Sequence, residues 1–346
     1  MIKVLSLPAR HPYTSKFHHS GEIIFCNPET DYFNKIGGIP TPEFIEKTHA
    51  LDSYDVVHIH FSFDKITTDE LRQLLGYFKE NKKPIVWTCH SRESQRKKDI
   101  GNGELQEILY SYANALISPT EGCKKWILSK FGKSKNIEVI PLGYMADPNL
   151  VISKEFDLRK KKNTNFIYLV GDMRENKEIN LSVKAFLDSP HLENCTLTVI
   201  TKPLPEDLNS IDERQRNFLE LIISSPRIRL IAKPEVSNKE LVGIFSEQHV
   251  CLLPYLWGTH SGQVELAKDC GCYAAISDVG FYKEQWQEVV EFSANKDLRI
   301  FILNFTEALI AAKNKPLLSP KPRERKAEMK IITEKHANLY RNLLGN

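Results

Sequence analysis

The sequence predicts an α/β protein made of two doubly wound, Rossmann-like domains that face each other across a cleft. Short apolar runs alternate with helix-period segments through the first half, stop over residues 148–165, and restart at 166. A chain of 346 residues, 41% apolar and 26% charged, is long enough for two cores. Late in the chain, small polar residues stand between an apolar run and a helix, a place where a ligand phosphate can bind. The expected domains are 1–150 and 163–320, with 321–346 a long basic tail helix.

In the first half, residues 2–7 and 22–26 read as strands. The loop between them, 8–20, holds Arg10, His11, Tyr13, Lys16, His18 and His19. Such a loop at the carboxyl end of a first strand is either a ligand loop or simply solvated. Gly37-Gly38 and a short helix over 42–51 follow. Residues 56–61 form a strand with His58 and His60 on one face, and 68–81 a helix with Leu71, Leu74, Leu75 and Phe78 at helical spacing. Strand 84–88 ends in Cys89-His90-Ser91. Leu105, Ile108, Leu109 and Tyr112 mark a helix, 115–118 a strand, 121–131 a helix stopped by Gly132, and 137–140 a strand stopped by Pro141.

The linker expected over 148–165 contains Arg159-Lys160-Lys161-Lys162, which reads as a solvated run, with contact to an anionic membrane as the alternative. Strand 166–170 then leads into Gly171-Asp172-Met173-Arg174-Glu175-Asn176-Lys177 and a helix through Leu181 and Phe186. Residues 196–200 and 228–231 are strands; 214–224 and 238–247 are helices. Strand 250–253 stops at Pro254; Gly258-Thr259-His260-Ser261-Gly262 follows, then a helix over 263–270 with Val264, Leu266 and Ala267 inward. Gly271 closes that helix, and 274–277 is the next strand. Unpaired N–H groups and the macrodipole at the start of the 263–270 helix favour an anion, and Glu265 reaches a hydroxyl of whatever carries it. An ordinary strand–loop–helix turn has the same appearance.

Several classes are disfavoured. A net charge of +3 is too small to argue for nucleic acid. Seven cysteines without paired spacing, no signal peptide and no long apolar run point to a reduced, cytoplasmic protein. Cys270 and Cys272 lack a second pair to complete a metal site.

Taken together, the motifs resemble the family 4 retaining glycosyltransferases of GT-B fold. Asp55-Val-Val-His-Ile-His60 resembles the family's D-[IV]-[IV]-H-x-H strand, Trp87-Thr-Cys-His90 its T-x-H, and Ile140-Pro-Leu-Gly143 its I-P-x-G. Gly171-x-x-Arg174-x-x-Lys177 resembles the phosphate-binding G-x-x-R-x-x-K, and Leu253-Pro-Tyr with Ser261-Gly-x-x-Glu265 the donor loop. There are two departures. The position eight residues before Glu265, a glutamate in the commoner pattern, is Trp257, and no Gly-Gly directly follows the first strand.

The resemblance implies transfer of a sugar from a UDP- or GDP-linked donor to an acceptor hydroxyl, with retention and without a bound metal or other cofactor. Arg174 and Lys177 would neutralise the leaving diphosphate. Glu265 would accept from ribose, and His90 would orient the donor sugar. Gly171, Thr259, His260, Ser261, Gly262 and Gln263 would line the donor site, with Thr259 and His260 covering for the missing glutamate. Arg10, Tyr13 and His60 are the acceptor-side candidates, and the tail helix would pack back on the N-terminal domain through Tyr340 and Leu343 or Leu344. The partners would be a nucleotide sugar and an acceptor sugar or small molecule, as in polysaccharide or natural-product glycosylation, with no nucleic acid and at most peripheral membrane contact. Two rival functions are a non-catalytic sugar-nucleotide binder and a hydrolase holding a metal through His58 and His60.

Overall fold

The structure is a computed structural model describing residues 1–7, 14, 16, 21–26, 40–48, 51–60, 66–92, 103–152, 161–205, 207 and 210–345. Its strands pair in parallel throughout the two six-stranded sheets. The chain divides into one unit of Met1–Gly143 with Ala327–Asn346, and a second of Tyr144–Lys326.

The first unit runs β1 (Ile2–Leu7), β2 (Ile23–Cys26), α1 (Pro42–Thr48), β3 (Val56–His60), α2 (Thr68–Glu80), β4 (Ile85–Thr88), α3 (Gly103–Tyr112), β5 (Ala115–Ser118), α4 (Glu121–Phe131) and β6 (Asn136–Val139). Its sheet order is β2-β1-β3-β4-β5-β6, so the winding reverses between β1 and β3. The central strands β3, β4 and β5 are buried along their whole length, as strands covered on both faces must be. Helix α2 starts at a capping box, Thr67 with Glu70, and turns Leu71, Leu74, Leu75 and Phe78 inward.

The second unit continues with α5 (Pro148–Ile152), β7 (Asn165–Gly171), α6 (Ile179–Asp188), β8 (Thr196–Thr201), α7 (Glu213–Ile223), β9 (Ile228–Ala232), α8 (Asn238–Ser246), β10 (Val250–Leu253), α9 (Gly262–Asp269), β11 (Tyr273–Ser277), α10 (Tyr282–Gln285), β12 (Val290–Phe292) and α11 (Leu298–Lys313). Its order, β12-β11-β10-β7-β8-β9, reverses between β7 and β10. Alternate residues of β7 serve two cores. Phe166, Tyr168 and Val170 pack with α6 and α11, while Ile167 and Leu169 pack with α8 and α9. Gly271 follows α9 at φ +62°, and a Cβ there would stand 2.7 Å from the Pro320 nitrogen, so glycine is required on both counts.

The segment read as a linker is partly built into the second unit. Val151 of α5 lies in the α8–α9 core. Lys161, expected on a solvated run, is buried and donates to the carbonyls of Cys270 at 3.0 Å and Gly271 at 2.6 Å. Those carbonyls lie where α9 stops and need donors, and an ammonium supplies several at once. The unit boundaries at Gly143/Tyr144 and Lys326/Ala327 therefore differ from the linker limits expected from composition.

The last helix, α12 (Pro322–Leu344), begins in the second unit and from Ala327 onward belongs to the first. Met329, Ile332, His336, Leu339 and Tyr340 are buried at helical spacing, whereas Leu343 and Leu344 are half-exposed. Tyr340 anchors the helix by a 2.6 Å hydrogen bond between its hydroxyl and Nδ1 of His58. Among the described residues no helix is long and apolar enough to cross a membrane.

Burial, with a smaller contribution from the Lys16 ammonium, pushes His336 down to about 4. A histidine that is neutral in the fold but charges near pH 6.5 when unfolded stabilises at neutral pH, and that stabilisation is lost as pH falls. The first unit should lose on the order of 2–3 kcal/mol of stability between pH 6.5 and about 4, given that linkage. Urea unfolding followed at both pH values checks this, and His336→Leu should flatten the dependence.

Candidate functional site

Both connections at the β7/β10 reversal are at the carboxyl ends of their strands, the crevice position in open α/β sheets. After β7 the chain turns at Gly171, φ +57°, passes Arg174, makes a single 3₁₀ turn over Glu175–Lys177, and enters α6 through Glu178 at φ 44°. The Gly171 carbonyl is held by Lys202 N–H and Thr201 Oγ1, each at 3.1 Å.

That turn aligns two cations. Lys177 is buried and donates from Nζ to the Val170 carbonyl, while its own carbonyl accepts from the Tyr168 hydroxyl. Burial, reinforced by the Arg174 charge and only partly offset by Asp172, lowers the ammonium to about 7. Arg174 is partly exposed, 3.5 Å from Asp172, and Asp172 also pairs with Lys202 at 2.9 Å. The Lys202 hydrogen bond is the chief reason the Asp172 carboxyl is held low.

After β10, Trp257, Thr259, His260 and Ser261 are all buried. Asn176, an intervening position of the Arg174/Lys177 motif, joins the two connections. Its side-chain Nδ2 donates to the Trp257 carbonyl at 3.1 Å, and its main-chain carbonyl accepts from Leu256 N–H at 2.8 Å. A Cβ on Gly258 would sit 1.8 Å from the Tyr282 hydroxyl, and one on Gly280 2.7 Å from the carbonyls of Gly258 and Thr259. At Gly280 backbone meets backbone, so a side chain is excluded there, while at Gly258 a side chain would displace the Tyr282 ring. His260 lies against Phe281, ring centroids 5.8 Å apart.

Ser261 caps α9, its Oγ accepting from Gln263 N–H at 3.2 Å, and Gln263 donates to the Leu169 carbonyl at 2.8 Å. The structure thus groups Gly171, Arg174 and Lys177 with Thr259, His260, Ser261, Gly262 and Gln263 in the second unit.

Glu265 is 3% exposed, and both its oxygens have donors within the unit. Oε1 accepts from Gln285 at 3.0 Å and Oε2 from Arg325 at 2.7 Å. Arg325 also donates to Asp269 at 2.5 Å, and the other Asp269 oxygen accepts from Met145 and Ala146 N–H at 2.6 and 2.9 Å. Burial pushes the Asp269 carboxyl up to about 6, against the pull of Arg325 and the two amides. Asn176, Gln285, Asp269 and Arg325 all escaped the sequence reading. Asn176 was signalled by its place inside a phosphate-binding pattern; nothing local marked the other three.

In the first unit, His90 follows β4 and is 7% exposed, with its ring 6.2 Å from that of His60. His58 engages both ring nitrogens, one with Tyr340 and the other with Thr88 Oγ1 at 2.7 Å. Burial, then the charges of His336 and His90, holds it well below the usual histidine range. A histidine so engaged is a structural member of the cluster and has no lone pair to offer a metal. Among the described residues no group of three or more His, Cys, Asp or Glu could hold a metal ion. Arg10, Tyr13 and Gly37-Gly38 lie outside the described residues.

Residues 9–147 match the model of Glycosyltransferase Family 4. Comparison with curated protein sequences returns no match. Sucrose-phosphate synthase from Thermosynechococcus elongatus superposes with a TM-score of 0.62 at 14% identity, covering 94% of this chain and 85% of that one. Anabaena HepE, solved with UDP, gives 0.60 at 12% identity over 97% and 99%. The α,α-trehalose 6-phosphate synthase from Burkholderia multivorans gives 0.60 at 12% over 88% and 73%. At such identities the likeness is one of fold. The chain is a GT-B protein that resembles the family 4 glycosyltransferases, with the family's sequence pattern matched directly over residues 9–147.

Proposed function

We propose that this protein is a retaining glycosyltransferase that moves a hexose from a UDP- or GDP-linked donor to an acceptor hydroxyl without a bound metal. The observation that carries the reading is the second unit's switch point. There, one turn presents Arg174 and Lys177, the other ends at the N-terminus of α9, and Asn176 bonds the two together. The family match over residues 9–147 and the UDP-bound fold neighbour support it.

In this reading the difficult event is departure of the nucleoside diphosphate, which gathers negative charge as the glycosidic bond breaks. Arg174, planar and permanently charged, spreads several donors over the phosphate oxygens. Lys177 adds a point charge from a site where water already screens little. Two cations before a helix oppose its dipole and are only partly balanced by Asp172, so a bound diphosphate relieves that repulsion. Glu265 serves the ribose, Thr259 and His260 the sugar, and His90 the orientation of the donor sugar. Arg10, Tyr13 and His60 serve the acceptor, a soluble sugar or a sugar on a carrier. The protein would act in the cytoplasm, with at most peripheral membrane contact.

Thermal-shift screening against nucleotide sugars, followed by turnover of the stabilising donor with chelator present, tests the proposal. Turnover should persist in chelator; activity lost there and restored by Mn²⁺ contradicts the metal-free mechanism, and binding without turnover favours the non-catalytic binder. Arg174→Ala should cost roughly 2–4 kcal/mol of transition-state stabilisation, the scale for one preorganised donor to developing charge.

The lowered Lys177 ammonium sets a pH dependence. It is about 7 in the free protein, and a diphosphate beside it raises it, so binding takes up a proton. Diphosphate affinity should therefore rise as pH falls through about 7, and Lys177→Met should abolish that dependence in calorimetric titrations.

His260→Ala should weaken the nucleotide sugar by about 1–3 kcal/mol, the cost of one buried hydrogen bond, and leave the bare nucleoside diphosphate almost unaffected. Equal weakening of both ligands would take His260 off the sugar.

A further inference from the structure

Glu265 and Asp269 stand one helical turn apart on α9, both carboxylates buried, in an i,i+4 pair that repels if left alone. Arg325, itself 2% exposed, spans the pair: one nitrogen donates to Glu265 Oε2 at 2.7 Å and another to Asp269 Oδ1 at 2.5 Å. On the other Glu265 oxygen, Gln285 completes the hold with a single carboxamide. Its Oε1 accepts from Ser261 N–H at 2.9 Å, and its Nε2 donates to the Ser261 carbonyl at 3.1 Å and to Glu265 Oε1 at 3.0 Å. The residue that caps α9 and the carboxylate one turn along it are thereby held by the same side chain.

We propose that Arg325 and Gln285 are positioning residues, which aim the Glu265 carboxylate so that the protein discriminates a ribose bearing free hydroxyls. This rests on the reading that the N-terminal end of α9 takes the donor nucleotide. Each carboxylate oxygen has room for more than one donor, so a ribose hydroxyl adds to an oxygen whose direction is already set. A pre-aimed acceptor loses no rotamer freedom on binding, and that is where such a clamp adds affinity. Arginine suits the task where lysine does not, because a planar fork reaches two carboxylates and a point charge reaches one well. The first turn of α12 thus contributes to nucleotide selection, though Arg325 lies 60 residues beyond Glu265.

The test is equilibrium binding of UDP and GDP, each against its 2′,3′-dideoxy form, to the full chain. The wild type should prefer the ribose form of its nucleotide by about 10-fold, the factor for one or two buried hydrogen bonds. Gln285→Ala and Arg325→Met should each shrink that ratio to about two-fold, with the loss falling on the ribose form, and Arg325→Lys should restore only part of it. If Arg325→Met fails to fold, Gln285→Ala and Arg325→Lys decide the matter by the same ratio. A Glu265→Gln variant that loses the preference while the Arg325 and Gln285 variants keep it overturns the inference alone. No preference in the wild type, with Glu265→Gln binding unchanged, removes the ribose reading and the inference with it.

Discussion

A guanidinium cut off from water, Arg325 between Glu265 and Asp269, is the constraint on which the second unit's site depends. Its geometry fixes the inner face of α9 and ties it to the segment that enters the unit, because Asp269 also binds the amides of Met145 and Ala146. A buried ion network of this kind is weak as a source of net stability, since desolvation consumes most of the attraction. Losing one partner is different: it strands uncompensated charge and costs about 3–5 kcal/mol. The network therefore acts through specificity of arrangement. With two carboxylates to one cation it carries an excess negative charge, and Gln285, the backbone amides and the raised Asp269 carboxyl absorb it.

The connection between β7 and α6 is arranged for the other sign. Lys177 has its nitrogen on a carbonyl and its charge only partly balanced by Asp172, and Arg174 stands one 3₁₀ turn before it. Burial raises the cost of keeping Lys177 charged without an anion. Such a site is preorganised: the donors are in place before the negative charge develops, and little reorganises when it does. The Gly280 contact serves the same end, since the segments at Gly280 and at Gly258–Thr259, pressed backbone to backbone, have little freedom to drift.

The first unit solves a different problem with its histidines. His58, His60, His90 and His336 approach one another, with ring centroids 3.9 Å apart for His58 and His60 and 5.9 Å for His58 and His336. Several imidazoles so close can stay together only if uncharged, and burial ensures that for His58 and His336. The His-x-His that offered a rival metal-binding reading is a buried ring cluster in which His58 meets Tyr340 of the last helix.

Features that depend on near neighbours were legible in the sequence alone. Short apolar runs and period-3.6 spacing placed most of the described strands and helices, and Gly271 marked the end of α9, but α5 lay in the stretch read as linker and α10, β12 and α11 were not read at all. The G-x-x-R-x-x-K spacing brought Arg174 and Lys177 to one turn for the same local reason. The sheet order, by contrast, is a tertiary outcome, and only it puts the 171–178 and 254–262 connections side by side. Partners across long separations were likewise invisible. Nothing near Arg325, set in a run of charged residues, distinguishes it from a solvated neighbour, and Lys161 in its basic run reads the same way. Both are buried because the fold brings a carboxylate pair to one and bare helix-end carbonyls to the other. Local periodicity determines which face of an element is apolar; which charge ends up under that face depends on what the rest of the chain brings there.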